Sequence, residues 1–399
     1  MFSNHIYTLP EENRRERLER ARMFLREERL DFAIFCGKGI HSFAAWFTGI
    51  MNPEFPEHGK GGFILAPEGN LLEVDSDRIA EIPEPPAEEP DVMRPPEFSI
   101  PGLEHLSCFD LPRMKTLGEK NHRIGIVNRS RLSAQLWDVL ARAFPDWEFP
   151  DVTEAALKLQ AIKSEAETEA VSAAAKAHDK AYSLVPWLAK PGITEREIVL
   201  QLRHAFLKLG AAGQDLEHLL DICLTSAPQD GPSVPEPIFH PGRSLEEGDR
   251  INLTARCMSR DDYYAGLGRC FVLGKASEET RRRWTILLRA QAAAAERLHP
   301  GGTVTEAALA ANQVLIENGF APCEHSFISG TGLEPMEAPV LHGVDEGMPL
   351  CPGMTLVVAP VLKCEGEDDM VCMDTFAVTE EGCMRLTRTD QELMELEFI

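Results

Sequence analysis

Residues 326–339 read SFISGTGLEPMEAP, and this segment decides how the second half of the chain is interpreted. Two glycines flank Thr331, and the segment closes with Glu-Ala-Pro. A phosphate-binding loop needs a strand before its glycines and a helix after them. Here a predicted helix precedes the segment and a strand-like run, MTLVVAPVLK at 354–363, follows it. The glycines therefore predict a loop of another kind, and they predict no nucleotide site.

The sequence around this loop is typical of helices packed on antiparallel strands. Apolar residues at helical spacing predict helices that begin at Ser164 and at Thr194, the second closing at Gly210, and further helices at 277–298 and 303–318. Ser164 is followed three residues later by Glu167, which predicts a capping box. Four apolar runs predict strands: RINLTARCM, YYAGLGRCFVLG, MTLVVAPVLK and MVCMDTFAVT. Residues 156–399 are therefore predicted to form an α+β domain.

The first part of the chain alternates between strand and helix patterns. Residues 11–30 predict an amphipathic helix, DFAIFCG predicts a buried strand, and GGFILAPEGNLLEVD at 61–75 predicts a hairpin. RIGIVN predicts another strand, followed by a helix at 131–143. The acidic, proline-rich residues 82–102 predict an exposed loop. Residues 1–155 are therefore predicted to form a small α/β domain.

Composition limits the partners and the compartment of the protein. The 399 residues carry a formal net charge of −24, which repels nucleic acid and anionic membrane surfaces. No run approaches the roughly 18 apolar residues that span a bilayer, and the charged N-terminus lacks a signal core, so we expect a cytoplasmic protein. The ten cysteines stand singly, which in a reducing compartment predicts small buried side chains rather than disulfides or a zinc site.

Seven segments share a pattern with known proteins: IKSEAETEA, KPGITEREI, EEGDRINL, YYAGLGRCFVLG, SGTGLEPMEAP, CPGMTLVVAP and MDTFAVTEEG. Together they resemble the pita-bread metallopeptidase-like family, which includes prolidase, aminopeptidase P, methionine aminopeptidase and the metal-free hydrolase creatinase. The resemblance spans roughly residues 155–385 and implies a C-terminal pita-bread domain. The N-terminal domain is similar to the one that precedes it in creatinase and prolidase.

The resemblance also shows where the metal ligands of the peptidases would lie. In those enzymes two aspartates, one histidine and two glutamates hold a pair of divalent metals. The corresponding residues here are Thr254, Gly266, Ser329, Ala359 and Met373. Hard divalent cations need anionic oxygen ligands, so the sequence predicts no metal and no other cofactor. Asp261 and Asp262 could be displaced ligands, although they lie in a predicted turn.

Candidate site residues follow from the same resemblance and from strand alternation. His240 and His325 are the candidate catalytic bases, since a neutral imidazole can take up and return a proton. Asn252, Thr254 and Arg256 alternate along one strand and share one face, so we predict that they bind the substrate.

Several of these residues have simpler explanations that stay open. His240 could hydrogen-bond a loop, and Arg256 could face solvent. Glu337 is a further candidate for substrate binding, or it satisfies backbone donors of its own loop. Arg269 is predicted to form a structural salt bridge, and the strand cysteines are predicted to be buried packing residues.

These observations predict a metal-independent, creatinase-like hydrolase that cuts a C–N bond in a small polar metabolite. One alternative is a non-catalytic pita-bread module that binds a peptide or protein. A second alternative is an Xaa-Pro metallopeptidase with shifted ligands. The resemblance further implies a homodimer in which the N-terminal domain of one subunit covers the site of the other, with His41 and Trp46 as candidate contacts.

Overall fold

The chain forms two compact units in a computed structural model, Met1–Leu159 and Gln160–Ile399. The structure describes residues 5–6, 11–36, 50–51, 62–65, 72–74, 79–81, 122–129, 134–209, 220–229, 243–259, 263–343, 345–363 and 369–397. Helix Thr153–Ala161 crosses the limit between the units, and the predicted domain boundary at residue 155 falls inside this helix. No helix in the described ranges is long and apolar enough to cross a membrane.

The N-terminal unit contains a five-stranded mixed sheet in the order β6-β5-β4-β2-β7. The predicted hairpin is confirmed as the antiparallel pair β4–β5, whereas β7 pairs parallel with β2. All four residues of β7 are buried, although β7 stands at the end of this strand order. The described elements are β1 (His5–Ile6), α1 (Glu11–Glu27), β2 (Phe32–Cys36), β3 (Ile50–Met51), β4 (Gly62–Leu65), β5 (Leu72–Val74), β6 (Ile79–Glu81), β7 (Ile124–Val127), α2 (Ala134–Ala143) and α3 (Thr153–Ala161).

The C-terminal unit has the predicted α+β composition. Its elements are α4 (Glu165–Tyr182), α5 (Val185–Leu188), α6 (Glu195–Lys208), β8 (Leu220–Pro228), β9 (Asp249–Met258), β10 (Tyr264–Leu273), α7 (Glu278–Ala295), α8 (Val304–Glu317), β11 (Ile328–Gly330), β12 (Glu337–Val340), β13 (Thr355–Val358), β14 (Val361–Leu362), β15 (Met370–Val371), β16 (Asp374–Val378), β17 (Cys383–Arg385) and β18 (Met394–Leu396). Two larger sheets have the orders β18-β10-β9-β8 and β12-β11-β13-β16-β17.

The helix starts in this unit follow the capping rules. Ser164 accepts a hydrogen bond from the backbone N–H of Glu167, and the Glu167 carboxylate accepts one from the Ser164 N–H, which confirms the predicted capping box. Thr194 caps α6 in the same way with Glu197. Each cap satisfies backbone donors that a helix start leaves unpaired, so short polar motifs fix where these helices begin.

Helices α4 and α6 pack on the sheet that contains β9 and β10, the strands of Thr254 and Gly266. Tyr182, Phe206, Ile251, Leu267 and Phe271 belong to one buried cluster between these helices and the sheet. The hydroxyl of Tyr182 donates to the backbone oxygens of Leu253 and Leu267. This apolar layer holds β9 and β10 firmly from one side, and the opposite side of the strands faces the second sheet.

Candidate functional site

The candidate site lies where the two larger sheets of the C-terminal unit are joined by backbone hydrogen bonds between β10 and the residue just before β16. Gly268 of β10 and Met373 form an isolated bridge, in which Gly268 N–H donates to Met373 O at 2.9 Å and Met373 N–H donates to Gly268 O at 3.1 Å. Thr375 of β16 bonds both backbone groups of Gly266 through its hydroxyl, each at 2.8 Å. Four hydrogen bonds therefore fix the distance between the sheets at this point.

Apolar side chains fill the space between the sheets. A Cβ on Gly266 would lie 2.9 Å from Met373 Sδ and 3.1 and 3.2 Å from the two methyl carbons of Val357. A Cβ on Gly268 would lie 2.8 Å from Met373 Cβ and 3.1 Å from Thr254 Cγ2. Val357, Ala359 and Met373 form a small buried cluster of their own. We call Gly266, Gly268, Val357, Ala359 and Met373 the filled pocket.

The described residues at the predicted ligand positions do not fit a pair of divalent metals. The five positions that the resemblance assigns to the ligands carry a hydroxyl, a hydrogen, a second hydroxyl, a methyl and a thioether, at Thr254, Gly266, Ser329, Ala359 and Met373. An aspartate at position 266 would collide with Met373 and Val357, which already occupy that space. Among the described residues no group of three or more His, Cys, Asp or Glu side chains could hold a metal ion. The chemistry of these donors therefore offers hard cations no anionic oxygen.

One polar atom at these positions is left without a partner. Ser329 is 1% exposed, and its hydroxyl makes no hydrogen bond to the rest of the described chain. Its backbone pairs with Val357 of the filled pocket. A buried hydroxyl in this state is a group that a bound ligand or water would satisfy.

The predicted substrate residue Glu337 is engaged inside the protein. Its carboxylate pairs with Lys163, and it also accepts the backbone N–H of Glu334 at 2.9 Å. Both side chains of the pair are almost completely buried, at 2% exposure for Lys163 and 4% for Glu337. Burial and these bonds argue against substrate binding by Glu337 and favour its alternative role in the loop. The lysine partner, 174 residues away in sequence, gave no signal in the sequence.

The three predicted binding residues on β9 differ in how far their side chains are exposed. Asn252 is buried and donates its side-chain amide to the backbone oxygen of Asp369 at 2.6 Å. Arg256 is partly exposed, and one of its guanidinium nitrogens donates to the backbone oxygen of Pro335 at 3.1 Å. Burial lowers the pKa of Arg256, while the charge of Asp221, its cross-strand neighbour, opposes that effect. Thr254, between them in the strand, is also partly exposed. Thr254 and Arg256 are thus the predicted binding residues on β9 that a ligand can reach.

A buried ion pair lies behind the filled pocket. Arg269 and Asp374 are both fully buried, and Arg269 Nη2 lies 2.8 Å from Asp374 Oδ1. Thr387 and Gln391 also donate to this carboxylate, at 2.7 and 3.0 Å. The structural role predicted for Arg269 is confirmed. Desolvation lowers the pKa of Arg269, but the neighbouring charges, above all Asp374, outweigh it and leave that pKa raised.

Of the four strand cysteines that were predicted to be packing residues, Cys257, Cys270 and Cys372 are buried and Cys223 is not. Burial raises the thiol pKa of Cys257 and of Cys372, so neither supplies a thiolate near neutral pH. Cys270 is also buried, whereas Cys223 is exposed and its predicted burial is wrong. Strand β8 turns alternate residues outward, and Cys223 lies between buried Ile222 and Leu224.

The candidate bases remain predictions. His240 lies outside the described residues, as do Asp261, Asp262, His41 and Trp46. His325 belongs to the described residues and is exposed; it lies two positions before the buried Phe327. A different histidine, His178, is fully buried: Nδ1 is 2.8 Å from the Ala174 oxygen, and Nε2 accepts the Cys257 N–H at 3.2 Å. It holds α4 on β9 and is structural.

Comparison with known proteins identifies the family. The model of metallopeptidase family M24 matches residues 168–380, more than half of the chain. The chain belongs to metallopeptidase family M24. The α+β pita-bread fold predicted from the sequence is thereby confirmed.

Relatives of this M24 member carry the names of dipeptidases. The chain is 27% identical over 248 residues to the Xaa-Pro dipeptidase of Pyrococcus furiosus, covering 62% of this chain and 69% of that protein. It is 27% identical over 246 residues to a probable dipeptidase, PepE, of Mycobacterium tuberculosis, covering 61% of this chain and 62% of that protein.

Solved structures of the family share the fold. Dipeptidase PepE from Mycobacterium ulcerans superposes with a TM-score of 0.73 at 20% identity, covering 97% of this chain and 99% of that chain. The prolidase from Pyrococcus horikoshii superposes with a TM-score of 0.70 at 21% identity, covering 95% and 100%. At these identities the structures support the fold.

The prediction of a metal-independent, creatinase-like hydrolase is wrong. The matching family is one of metallopeptidases, and the named relatives are Xaa-Pro dipeptidases and related dipeptidases. The prediction rested on the missing metal ligands, because creatinase is also a metal-free enzyme. The loss of ligands carries no information about the substrate.

Proposed function

We propose that the C-terminal domain of this M24 member binds short peptides of the Xaa-Pro type and does not hydrolyse them by the two-metal route. The proposal takes its ligand class from the names of the relatives. It takes the loss of hydrolysis from one observation: Met373 and Val357 occupy the space over Gly266 that a ligand carboxylate would need.

Arg256 is the proposed anchor for the peptide. Its Nη1 donates to Pro335, and the other guanidinium donors make no hydrogen bond within the described chain. A peptide carboxylate fits this fork in bidentate geometry. Because burial lowers the pKa of Arg256, a carboxylate that pairs with it would offset part of its desolvation. Thr254, which is also partly exposed on the same face of β9, could satisfy a polar group of the same peptide.

A second candidate function is an Xaa-Pro metallopeptidase with ligands from positions other than the family ones. The names of the relatives favour it. It would require carboxylates such as Asp261 and Asp262, since the described residues hold no suitable cluster. The filled pocket argues against it, because metals placed between the sheets would have to displace Met373.

The proposal also includes a homodimer and a cytoplasmic location. The first is supported by the resemblance of the two-domain arrangement to prolidase and creatinase. The second is supported by the free cysteines among the described residues, which are typical of a reducing compartment.

Calorimetric titration of the full chain with Ala-Pro and Gly-Pro tests the proposal. We expect binding that Arg256→Gln weakens about tenfold or more, because it removes a charge-assisted hydrogen-bond pair. Arg388→Gln, a change at an exposed residue, is the matched control and should leave the affinity unchanged.

A hydrolysis assay on the same samples separates the two functions. With Mn²⁺ or Co²⁺ added, we expect no proline release above buffer. Proline release that a chelator abolishes would overturn the proposal in favour of the metallopeptidase. Absence of dipeptide binding to the unaltered chain would overturn the assignment of the ligand.

A further inference from the structure

A cleft lies beside the sheet β12-β11-β13-β16-β17 of the C-terminal unit. It has a volume of about 670 Å³ and runs between helix α7 and strands β16 and β17. Its walls include Leu288, Phe376 and Arg385, with Glu296 and Glu381 also lining it. Pockets of about 300–1,000 Å³ are typical of small-molecule sites.

Strand alternation separates this cleft from the filled pocket. Met373 packs on Gly268 and Thr375 bonds Gly266, so both side chains point to the first sheet. Asp374 and Phe376 alternate with them and therefore point to the opposite side. Phe376 lines the cleft, which places the cleft behind the sheet and away from Arg256.

Arg385 brings hydrogen-bond donors to the cleft that the described chain does not use. The side chain is 31% exposed, and its Nη1 lies 3.9 Å from Asp374 Oδ1. At that distance the two groups form an ion pair but no hydrogen bond. Nη1 is itself buried and has no hydrogen-bond partner among the described residues.

Asp374 cannot readily become that partner. Arg269 donates to both of its oxygens at 3.2 and 2.8 Å, and Thr387 and Gln391 occupy further lone pairs. A buried carboxylate with this many donors is already satisfied. Among the described residues Arg385 therefore keeps only this long ion pair, and its guanidinium can still pair with an anion that enters the cleft.

The remaining lining gives the ligand its other features. Glu296 and Glu381 are both exposed residues, so they bring negative charge to the open side of the cleft. Leu288 and Phe376 supply an apolar wall. A cation inside, carboxylates outside and an apolar wall complement a small zwitterion with an apolar body, and they repel a dianion.

We propose that this cleft binds a free amino acid with a large apolar side chain. Its carboxylate pairs with Arg385, its ammonium group faces Glu296 or Glu381, and its side chain packs on Leu288 and Phe376. The site is independent of the peptide site at Arg256.

Titration of the full chain with L-phenylalanine tests this site. We expect Arg385→Gln to weaken binding about tenfold or more, because the lost contact is a charge-assisted one. Arg388→Gln should leave the affinity unchanged. 3-Phenylpropionate lacks the ammonium group and phenethylamine lacks the carboxylate, so each should bind about tenfold or more weakly than L-phenylalanine.

Labelling of thiols gives a readout that needs no substitution. Cys383 is partly exposed and lines the cleft, whereas Cys223 is exposed on strand β8. L-Phenylalanine should slow the alkylation of Cys383 by iodoacetamide and leave that of Cys223 unchanged, as followed by mass spectrometry.

Several results would overturn the proposal. These are no binding of L-phenylalanine, binding that Arg385→Gln leaves intact, and equal binding of 3-phenylpropionate. Loss of binding in Arg256→Gln with retention in Arg385→Gln would place the amino acid at the peptide site instead. Failure of dipeptide binding would leave the cleft unaffected, so the two proposals fail separately.

Discussion

The substitution Gly266→Ala should destabilise the C-terminal domain by about 1–3 kcal/mol, a typical penalty for overpacking a core. The new Cβ would lie 2.9 Å from Met373 Sδ and within 3.2 Å of both Val357 methyl carbons. These distances leave no room for a methyl group unless the neighbours move. The penalty measures how completely the pocket between the sheets is filled.

A second substitution identifies which side chain fills it. Met373→Ala removes the sulfur that the Gly266 methyl would meet, at a cost of about 2–5 kcal/mol for the cavity itself. In that background Gly266→Ala should cost less, because only the contacts with Val357 at 3.1 and 3.2 Å remain, so the two changes should couple by about 1–2 kcal/mol.

Gly268→Ala should show no such rescue. Its Cβ would lie 2.8 Å from Met373 Cβ, an atom that alanine at position 373 retains. The contrast between positions 266 and 268 therefore distinguishes contact with the sulfur from contact with the rest of the residue.

The assay is urea unfolding followed by far-UV circular dichroism, with the midpoint and the slope compared among variants. Gly347→Ala is the matched control: nothing lies within 4 Å of its added Cβ, and its φ is outside the left-handed region. It should change stability by less than about 0.5 kcal/mol. Additive effects of Gly266→Ala and Met373→Ala would refute the filled pocket.

Three further substitutions test the buried polar contacts by the same unfolding assay. Lys163→Met should destabilise by about 3–5 kcal/mol, because it leaves the Glu337 carboxylate buried without its cation. Less than 1 kcal/mol of loss would show that the pair is open to solvent. Asp374→Asn should cost a similar amount, since Arg269 would keep its charge in a fully buried place; an unchanged midpoint would refute that. His178→Gln should flatten the stability profile between pH 6.5 and 4. Burial lowers the pKa of His178 to about 4, so the unfolded chain takes up the proton first and the wild type loses up to about 3 kcal/mol as the pH falls through this window. Parallel profiles of the two proteins would contradict this.

Much of the fold follows from the sequence because local rules act over short distances. Ser164 and Thr194 begin helices with capping residues three positions on, and both boxes are present. Apolar runs and glycines predict the two strands that contain Thr254 and Gly266, and the structure has strands at these positions. Strand Met394–Leu396, parallel to β10, escaped prediction because three residues carry too little periodicity.

The site depends on contacts that no local pattern encodes. That Met373 lies against Gly266 follows from the packing of two sheets more than one hundred positions apart in sequence. Alternation predicts that Thr254 and Arg256 share a face, but it cannot tell whether that face meets solvent or a neighbour. Lys163 and Glu337 pair across 174 positions for the same reason. The absence of ligands does not by itself distinguish a metal-free hydrolase from a member of the family that only binds peptides, so the sequence could not predict the function.

Metal content of the purified chain tests the central claim most directly. The chain is dialysed against Mn²⁺ or Co²⁺ and then against buffer, and bound metal is measured by mass spectrometry alongside proline release from Ala-Pro. We expect far less than one metal ion per chain and no release of proline. One or two ions per chain, together with hydrolysis that a chelator stops, would contradict the filled pocket.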